Sequence, residues 1–250
     1  MNRDKIIDFV NIYLDSENIK DISRNGLQFE GVPEVKKIAF GVSASLECLK
    51  RAAASGTDML IVHHGLLWGK VQPFRGPFKQ KLELLFKSGM SLAAWHLPLD
   101  KHPVCGNNAR ILKMLGAEKL KPFGLYDGES IGFKGTFPGG KSLDTVINIL
   151  TGGLGSDILG FRFGPKKIKT LGVVSGGADS MFPQAIEAGL DLYITGEVSE
   201  SVQETARENA INFISAGHYN TEKPGVKALA ELLKKKFRVK IEFIDVPNPV

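Results

Sequence analysis

The sequence contains few cysteines: Cys48 and Cys105 are the only two among 250 residues, and they form no CxxC pair. This spacing supplies neither a disulfide framework nor a zinc knuckle, so we expect two reduced thiols. Long apolar runs are also missing, since no stretch approaches the ~18 consecutive apolar residues of a membrane-spanning helix. The first segment, MNRDKIIDFV, carries acidic residues and lacks the apolar core of a signal peptide. We therefore expect a cytoplasmic protein with no membrane partner.

A strong excess of one charge is missing as well. The 32 Lys and Arg residues exceed the 27 Asp and Glu residues by 5, and most of the basic residues are spread along the chain. One dense basic run, KKKFR, occupies residues 234–238. Such a run is more typical of a solvated helix end than of a nucleic-acid surface, so nucleic acid is not an expected partner.

Hydrophobic residues make up 43% of the sequence, which is enough for a substantial core. Residues 38–43 (IAFGVS) and 58–62 (DMLIV) read as buried strands, and residues 46–54 between them read as a helix. A strand, helix and strand in this order predict parallel strand pairing. We also expect an amphipathic helix over residues 1–20 and a helix opened by an asparagine cap over residues 106–116.

The strand, helix and strand pattern occurs twice in the chain. IAFGVSAS and GTDMLIVHHG in the first copy resemble TLGVVSGG and GLDLYITGE in the second. The repeat predicts an internal duplication, with two similar α/β domains whose mostly parallel central sheets are flanked by helices. We place the first domain at residues 1–127 and the second at residues 128–250. The aligned positions are Ser43 with Ser175, Asp58 with Asp191, His96 with His218, and Asp100 with Glu222.

The two copies differ in the length of one loop. His64 and His96 are 32 positions apart, whereas the matching Glu197 and His218 are 21 positions apart. The first copy therefore carries about 11 extra residues, and they fall in the loop after His64.

Four of the five histidines follow apolar strands. His63 and His64 terminate DMLIV, His96 follows SLAAW, and His218 follows INFIS after two small residues. Side chains alternate across a strand, so the adjacent pair must stand where its strand ends in order to reach one site. Ligands of open α/β sheets gather beyond the carboxyl ends of the strands, so these histidines predict a metal site.

Two carboxylates accompany the histidines, because Asp100 and Glu222 each follow a histidine by four residues. These ligands are too many for one tetrahedral ion and about enough for two ions, which typically lie ~3.5 to 4 Å apart. Two divalent ions are therefore the expected cofactor. Zinc is the first choice, and manganese, iron, cobalt and nickel are the alternatives.

Three further features are weaker candidates for function. The turn SGGAD, residues 175–179, could cradle a phosphate, although a tight turn is the better explanation. Trp68 could stack on a base or fill a gap in the core. His102 precedes Pro103, and we expect it to be an exposed loop residue.

The residues quoted so far, together with NGLQFEG, HLPLDKHPVCGNNA and GHYNTEKPG, resemble the NIF-three-like family, often named GTP cyclohydrolase I type 2 homologues. The resemblance covers essentially the whole chain and corresponds to the short form of the family. One departure is Gly65-Leu66-Leu67, where many members have Pro-Leu-Phe. The resemblance implies a metal site in the cleft between two similar domains and a ring-shaped homohexamer. The implied metal ligands are His63, His64, Asp100, His218 and Glu222.

The resemblance also implies roles for individual residues. The implied catalytic residues are Glu222 and His96. Glu222 is also the implied bridging ligand between the two metal ions, and His96 is implied to lie just outside the metal ligands. The leading hypothesis is a dinuclear metal-dependent hydrolase, related to GTP cyclohydrolase, whose metal-bound hydroxide attacks a nucleotide-like small molecule. His96 or His102 would then carry protons. The alternatives are a metal-binding regulatory or scaffold protein without turnover and a phosphoesterase that uses the same site.

Overall fold

The computed structural model describes residues 1–70, 72–155 and 158–250. The chain forms two compact units: residues 1–99 with 226–247, and residues 100–225 with 248–250. The division after Leu99 replaces the boundary we predicted after Asp127. Asp127 and Gly128 form the turn between two paired strands, and both have a positive φ, 48° and 90°. The predicted boundary therefore falls inside a β-hairpin of the second unit.

The first unit contains a five-stranded sheet with helices before and between its strands. Its strand order is β1-β4-β3-β2-β11, in which β1 is antiparallel to β4 and the other neighbours are parallel. Its elements are α1 (Arg3–Leu14), β1 (Gly26–Phe29), β2 (Lys37–Ser43), α2 (Leu46–Ala54), β3 (Met59–His64), α3 (Gly76–Ser88), β4 (Ser91–Ala94) and β11 (Lys240–Phe243).

The sequence explains where these elements begin and end. In α1 the buried residues Ile6, Val10 and Leu14 recur at helical spacing, and the helix ends when Asp15 adopts a left-handed φ of 52°. The predicted helix over residues 1–20 is thus shorter than expected. Helix α2 spans the predicted residues 46–54, and the Ser45 side chain caps it by accepting from the Cys48 amide.

The second unit contains a six-stranded sheet of order β5-β6-β8-β9-β10-β7. Two helices belong partly to each unit. Helix α4 (Leu97–Lys101) begins in the first unit and ends in the second, and helix α9 (His218–Phe237) begins in the second unit and ends in the first. The remaining elements are α5 (Asn107–Met114), β5 (Glu118–Tyr126), β6 (Glu129–Lys141), α6 (Leu143–Gly153), β7 (Leu159–Arg162), β8 (Ile168–Val173), α7 (Phe182–Glu187), β9 (Leu192–Thr195), α8 (Val202–Glu208) and β10 (Asn212–Ser215).

The second sheet is mixed, so the prediction of two mostly parallel sheets is wrong for this unit. Of its described strands, only β8, β9 and β10 pair in parallel, whereas the β5-β6, β6-β8 and β7-β10 pairs are antiparallel. The cause is the long β5-β6 hairpin, which adds two antiparallel pairs to this sheet. The strands β8, β9 and β10 nevertheless have the same parallel order as β2, β3 and β4.

One hydrogen-bond pattern occurs in both units. Asp58 Oδ2 accepts from the amides of Lys36 and Lys37 at 2.8 and 2.9 Å. Asp191 Oδ2 accepts from the amides of residues 169 and 170 at 2.7 and 2.9 Å. Each aspartate precedes the second strand of its unit's parallel set and holds the start of the first strand, so the aligned aspartates have the same structural role.

Helix α5 begins differently from the prediction. Its N-cap is Gly106, which makes no side-chain cap, instead of an asparagine. The Asn107 side chain donates to Asp100 Oδ1 at 2.8 Å, and the Asn108 side chain donates to the Ile131 carbonyl at 2.8 Å. Both amides therefore hold other segments of the second unit. Among the described residues, no helix combines the length and apolar composition needed to cross a membrane.

Candidate functional site

Three histidines of the first unit lie together at the carboxyl ends of neighbouring strands. His63 and His64 are the last residues of β3, as predicted, and His96 follows β4 by two residues. One ring nitrogen from each of the three lies within 4.8 Å of the others. Their ring centroids are 4.7 to 5.7 Å apart. This group, called the three-histidine cluster below, could hold a metal ion.

The adjacent histidines are oriented by bonds to the protein. His63 is fully buried, and its Nδ1 lies 3.0 Å from the Trp95 carbonyl oxygen. A carbonyl only accepts hydrogen bonds, so Nδ1 carries the proton and Nε2 carries the lone pair that a metal requires. His64 Nδ1 lies 3.0 Å from Ser43 Oγ, which orients the second ring; a hydroxyl can donate or accept, so this contact does not fix which nitrogen carries the proton.

His96 is held by a carboxylate that the sequence analysis missed. Its Nδ1 lies 2.9 Å from Asp21 Oδ1, and the Asp21 side chain is only 2% exposed. The same carboxylate accepts from the amides of Ser23 and Leu97 and from the Asn25 side chain. Burial by itself would raise the pKa of Asp21, but the bond to His96 and the other donors lower it to about 2. Asp21 is therefore an ionised anchor for the His96 ring.

In the second unit, His218 lies between two carboxylates. It is the first residue of α9, and its Nε2 lies 3.1 Å from Oε1 of Glu222, one turn further along. Its Nδ1 lies 2.5 Å from Oε1 of Glu197. Burial alone would lower the pKa of His218, but the bonds to Glu222 and Glu197 outweigh it and raise this pKa to about 9. A metal ion bound to His218 would have to displace the proton that Nε2 donates to Glu222.

Asp100 is also buried, and other side chains of the second unit position it. Its Oδ1 accepts from Asn107 Nδ2 at 2.8 Å and from Ser175 Oγ at 2.9 Å. Ser175 and the aligned Ser43 thus each contact a predicted metal ligand, Asp100 in one unit and His64 in the other. Their alignment in the repeat was a signal for this role that the sequence analysis did not use.

The turn SGGAD packs against Glu222 and His218. A Cβ at Gly176, whose φ is +70°, would lie 2.6 Å from Glu222 Oε1 and 3.3 Å from His218 Nε2. The Gly176 amide donates to Thr221 Oγ1 at 3.0 Å, so the protein itself uses this donor. The tight-turn interpretation therefore describes this segment better than the phosphate cradle does.

His102 lies outside the three-histidine cluster. Its Nδ1 accepts from the amides of Val104 and Cys105 at 3.2 and 3.1 Å, and the residue is half-buried instead of exposed. The structure therefore places His63, His64 and His96 in one group of the first unit. It places His218 beside Glu222 in the second unit, where Asp100 is held by Asn107 and Ser175.

Comparisons with known proteins extend over the whole chain. The sequence model of the Duf34/NIF3 family (NGG1p interacting factor 3) matches residues 1–249. A protein of Pyrococcus abyssi named GTP cyclohydrolase 1 type 2 homolog is 45% identical over 249 residues, which cover 99% of both chains. Two solved structures are similar over 100% of this chain and of theirs. Protein ybgI, of unknown function, has a TM-score of 0.93 and a sequence identity of 35%. TTHA1606 from Thermus thermophilus has a TM-score of 0.92 and a sequence identity of 36%.

Proposed function

Because this chain belongs to the Duf34/NIF3 family, we propose that it is a dinuclear metal-dependent hydrolase acting on a small nucleotide-like molecule. The observation that carries the proposal is the three-histidine cluster, in which one nitrogen from each ring lies within 4.8 Å of the others. In His63 a carbonyl holds the Nδ1 proton, which leaves Nε2 as the metal-binding nitrogen.

We propose two divalent cations as the cofactor, because the predicted ligands are too many for one tetrahedral ion. The ligands that the family resemblance implies for these ions are His63, His64, Asp100, His218 and Glu222. Imidazole nitrogens and carboxylate oxygens suit zinc first, and also manganese, iron, cobalt or nickel. When bound, such a pair of ions lowers the pKa of a water molecule and polarises the group that the water attacks.

The chain itself supplies a proton carrier. His96 is hydrogen-bonded through Nδ1 to Asp21, whose pKa is lowered to about 2, so the carboxylate is ionised at neutral pH. The carboxylate orients the ring through Nδ1 and leaves Nε2 to accept or donate a proton. His96 is therefore assigned to proton transfer, and Glu222 would bridge the ions, as the family resemblance implies.

The test is metal analysis of the purified protein followed by a substrate screen. We expect bound divalent metal in the wild type and a clear loss of it in His64→Ala. The matched control His102→Ala, which removes a histidine outside the cluster, should keep its metal. A wild type without metal, or a His64→Ala variant with full metal content, contradicts the proposal.

The screen compares GTP, other nucleotides and phosphoesters as substrates of the wild type and of Glu222→Gln. Ring opening of GTP that Glu222→Gln abolishes would support the cyclohydrolase activity. Turnover of phosphoesters alone would indicate the phosphoesterase alternative. Bound metal with no turnover of any compound would indicate a regulatory or scaffold protein.

We also propose a cytoplasmic homohexamer and an origin by internal duplication. The hexamer rests on the family resemblance, and light scattering should give about six times the chain mass of 27.2 kDa. The duplication is supported by the paired roles of Asp58 and Asp191 and by the parallel order that three strands of each unit share.

A further inference from the structure

A cavity of about 640 Å³ lies in the first unit beside the three-histidine cluster. Its walls include the aromatic residues Trp68, Phe74 and Phe78 and the cations Arg24 and Lys70. The Trp68 ring centroid is 5.0 Å from that of His96 and 5.7 Å from that of His64. A molecule in this cavity would therefore lie next to the groups assigned to the chemistry.

The loop that carries Trp68 is the segment by which the first copy of the repeat exceeds the second. Hydrogen bonds hold it to residues 22–28. The Gly69 amide donates to the Ile22 carbonyl at 2.9 Å, and the Arg24 amide donates to the Leu67 carbonyl at 3.0 Å. Gln28 Oε1 accepts from the amides of residues 66 and 67 at 2.6 and 3.2 Å. These hydrogen bonds hold the cavity wall in place, which reduces the entropy lost on binding.

The Trp68 side chain is fixed as well, since its indole nitrogen donates to the Gly65 carbonyl at 2.9 Å. A Cβ at Gly65 would lie 2.3 Å from Gln28 Oε1, so the glycine leaves room for the amide that holds this loop. Gln28 thus packs against Gly65 and binds the amides of the two residues that follow it. These contacts, together with the bond from the indole to the Gly65 carbonyl, determine where the Trp68 ring lies.

The exposed apolar surface at this cavity indicates a ligand. Ile22, Leu67 and Phe74 are 63%, 40% and 66% exposed, and all three line it. Apolar and aromatic walls with a few polar groups around several hundred Å³ are typical of small-molecule sites. Its charge favours an anion, because Arg24 and Lys70 face one acid, Asp21, whose carboxylate already accepts from His96 and from amides.

We propose that this cavity binds a planar aromatic ring that carries negative charge, with Trp68 stacking on the ring and Arg24 and Lys70 contacting the anionic groups. This assignment rests on the proposed function and specifies its substrate class by chemistry. Trp68 is then a specificity-determining residue, and the extra loop of the first unit recognises the ligand.

The experiment uses tryptophan fluorescence, because the chain has two tryptophans with different surroundings. Trp95 is fully buried and donates to Asn11 Oδ1, so it is insensitive to a ligand in the cavity. The purified protein is titrated with GTP, with guanosine and with inorganic tripolyphosphate. We expect GTP to quench Trp68 and to bind more tightly than either of the other two probes.

Calorimetry then compares variants. Trp68→Ala should weaken GTP binding about tenfold or more, and Trp68→Phe should restore most of it, since stacking on an aromatic side chain is worth roughly one to two powers of ten in affinity. Lys70→Ala should weaken binding of GTP and leave that of guanosine unchanged. Tripolyphosphate binding as tightly as GTP, or equal GTP affinity in Trp68→Ala and wild type, overturns the proposal.

Measuring the metal content distinguishes a failure of the cavity proposal from a failure of the hydrolase proposal. Trp68→Ala should keep the wild-type metal content, because Trp68 offers no ligand atom. Unchanged GTP affinity in a metal-loaded Trp68→Ala protein rejects the cavity alone. A metal-free wild type rejects the hydrolase, whereas quenching of Trp68 by GTP would still support the cavity.

Discussion

Asp21 Oδ1 lies 2.9 Å from His96 Nδ1 although the two residues are 75 positions apart in the sequence. The other carboxylate oxygen accepts from the backbone amide of Leu97 at 3.0 Å. The His96 amide in turn donates to the side chain of Asn25 at 2.9 Å. Asp21 and Asn25 thus fix both the ring and the backbone at the point where the chain leaves β4.

Replacing Asp21 by Asn should make the protein less stable and less sensitive to acid. The pKa of Asp21 is lowered from 3.8 to about 2, so its contribution is present above pH 3.8 and is lost as the pH falls towards 2. A shift of this size corresponds to about 2 kcal/mol at neutral pH. Urea unfolding from pH 7 to pH 2.5 measures it. The exposed Asp8→Asn is the control, and parallel pH profiles for wild type and Asp21→Asn would contradict the assignment.

Replacing Glu197 by Gln should lower the pKa of His218 in the metal-free protein. Hydrogen bonds from His218 to Glu222 and Glu197 raise that pKa to about 9, and the variant removes one of the two charges. NMR titration of the imidazole measures the change. Glu200→Gln removes a charge from an exposed position in the same loop and should leave the titration unaltered. If both variants titrate alike, Glu197 does not stabilise the imidazolium.

The same shift predicts how stability depends on pH. Because the pKa of His218 is raised in the folded state, its contribution is complete below pH 6.5 and disappears as the pH rises through about 9. The metal-free wild type should therefore lose stability between these values more steeply than Glu197→Gln. Urea midpoints at pH 6, 7.5 and 9 in the presence of a chelator measure the difference, and equal slopes would contradict it.

The sequence predicted the local elements of the site and missed its long-range supports. The apolar run before His63 and His64 has the length of a strand and stops at the pair, so β3 and its end were predictable from pattern alone. Asp21 lies in no periodic segment; it precedes β1, and its contact His96 follows β4, which pairs with β1. Contacts of this kind depend on tertiary structure, which a single sequence does not encode in its local spacing.

The division of the chain into two units also depends on tertiary contacts that local sequence pattern does not reveal. We predicted a boundary after Asp127, but Asp127 and Gly128 adopt positive φ angles because they form the turn of a hairpin. Residues 226–247 return to the first unit, where Lys240 to Phe243 pair in parallel with Lys37 to Phe40. Strand β11 is short and only half-buried, so its partner could not be inferred from hydrophobic pattern.

Asp58 and Asp191 should be equally important to their own units. Each carboxylate accepts from two backbone amides, and replacement by Ala leaves those donors without their acceptor. We expect a loss of about 1 to 3 kcal/mol in each variant. Hydrogen exchange should show faster exchange at residues 36 and 37 in Asp58→Ala and at residues 169 and 170 in Asp191→Ala. An effect in one unit only would show that the two aspartates have different roles.

Gly176→Ala should cost more stability than Gly189→Ala and should also reduce metal binding. Both glycines belong to the second unit and have similar positive φ angles, +70° and +62°, so alanine meets the same backbone strain of about 1 kcal/mol at each. A Cβ at Gly189 meets no atom within 4 Å, whereas a Cβ at Gly176 lies 2.6 Å from Glu222 Oε1.

Both sides of the Gly176 contact are held in place, so displacing either one costs free energy. Glu222 is only 3% exposed, and the Gly176 backbone is held by bonds between its carbonyl and the amides of Gly196 and Glu197. The carboxylate assigned to bridging the ions should therefore move in Gly176→Ala. Urea unfolding and metal analysis of both variants separate the two effects. If Gly176→Ala and Gly189→Ala have equal stability and full metal content, then neither folding nor metal binding depends on the position of the Glu222 carboxylate beside this turn.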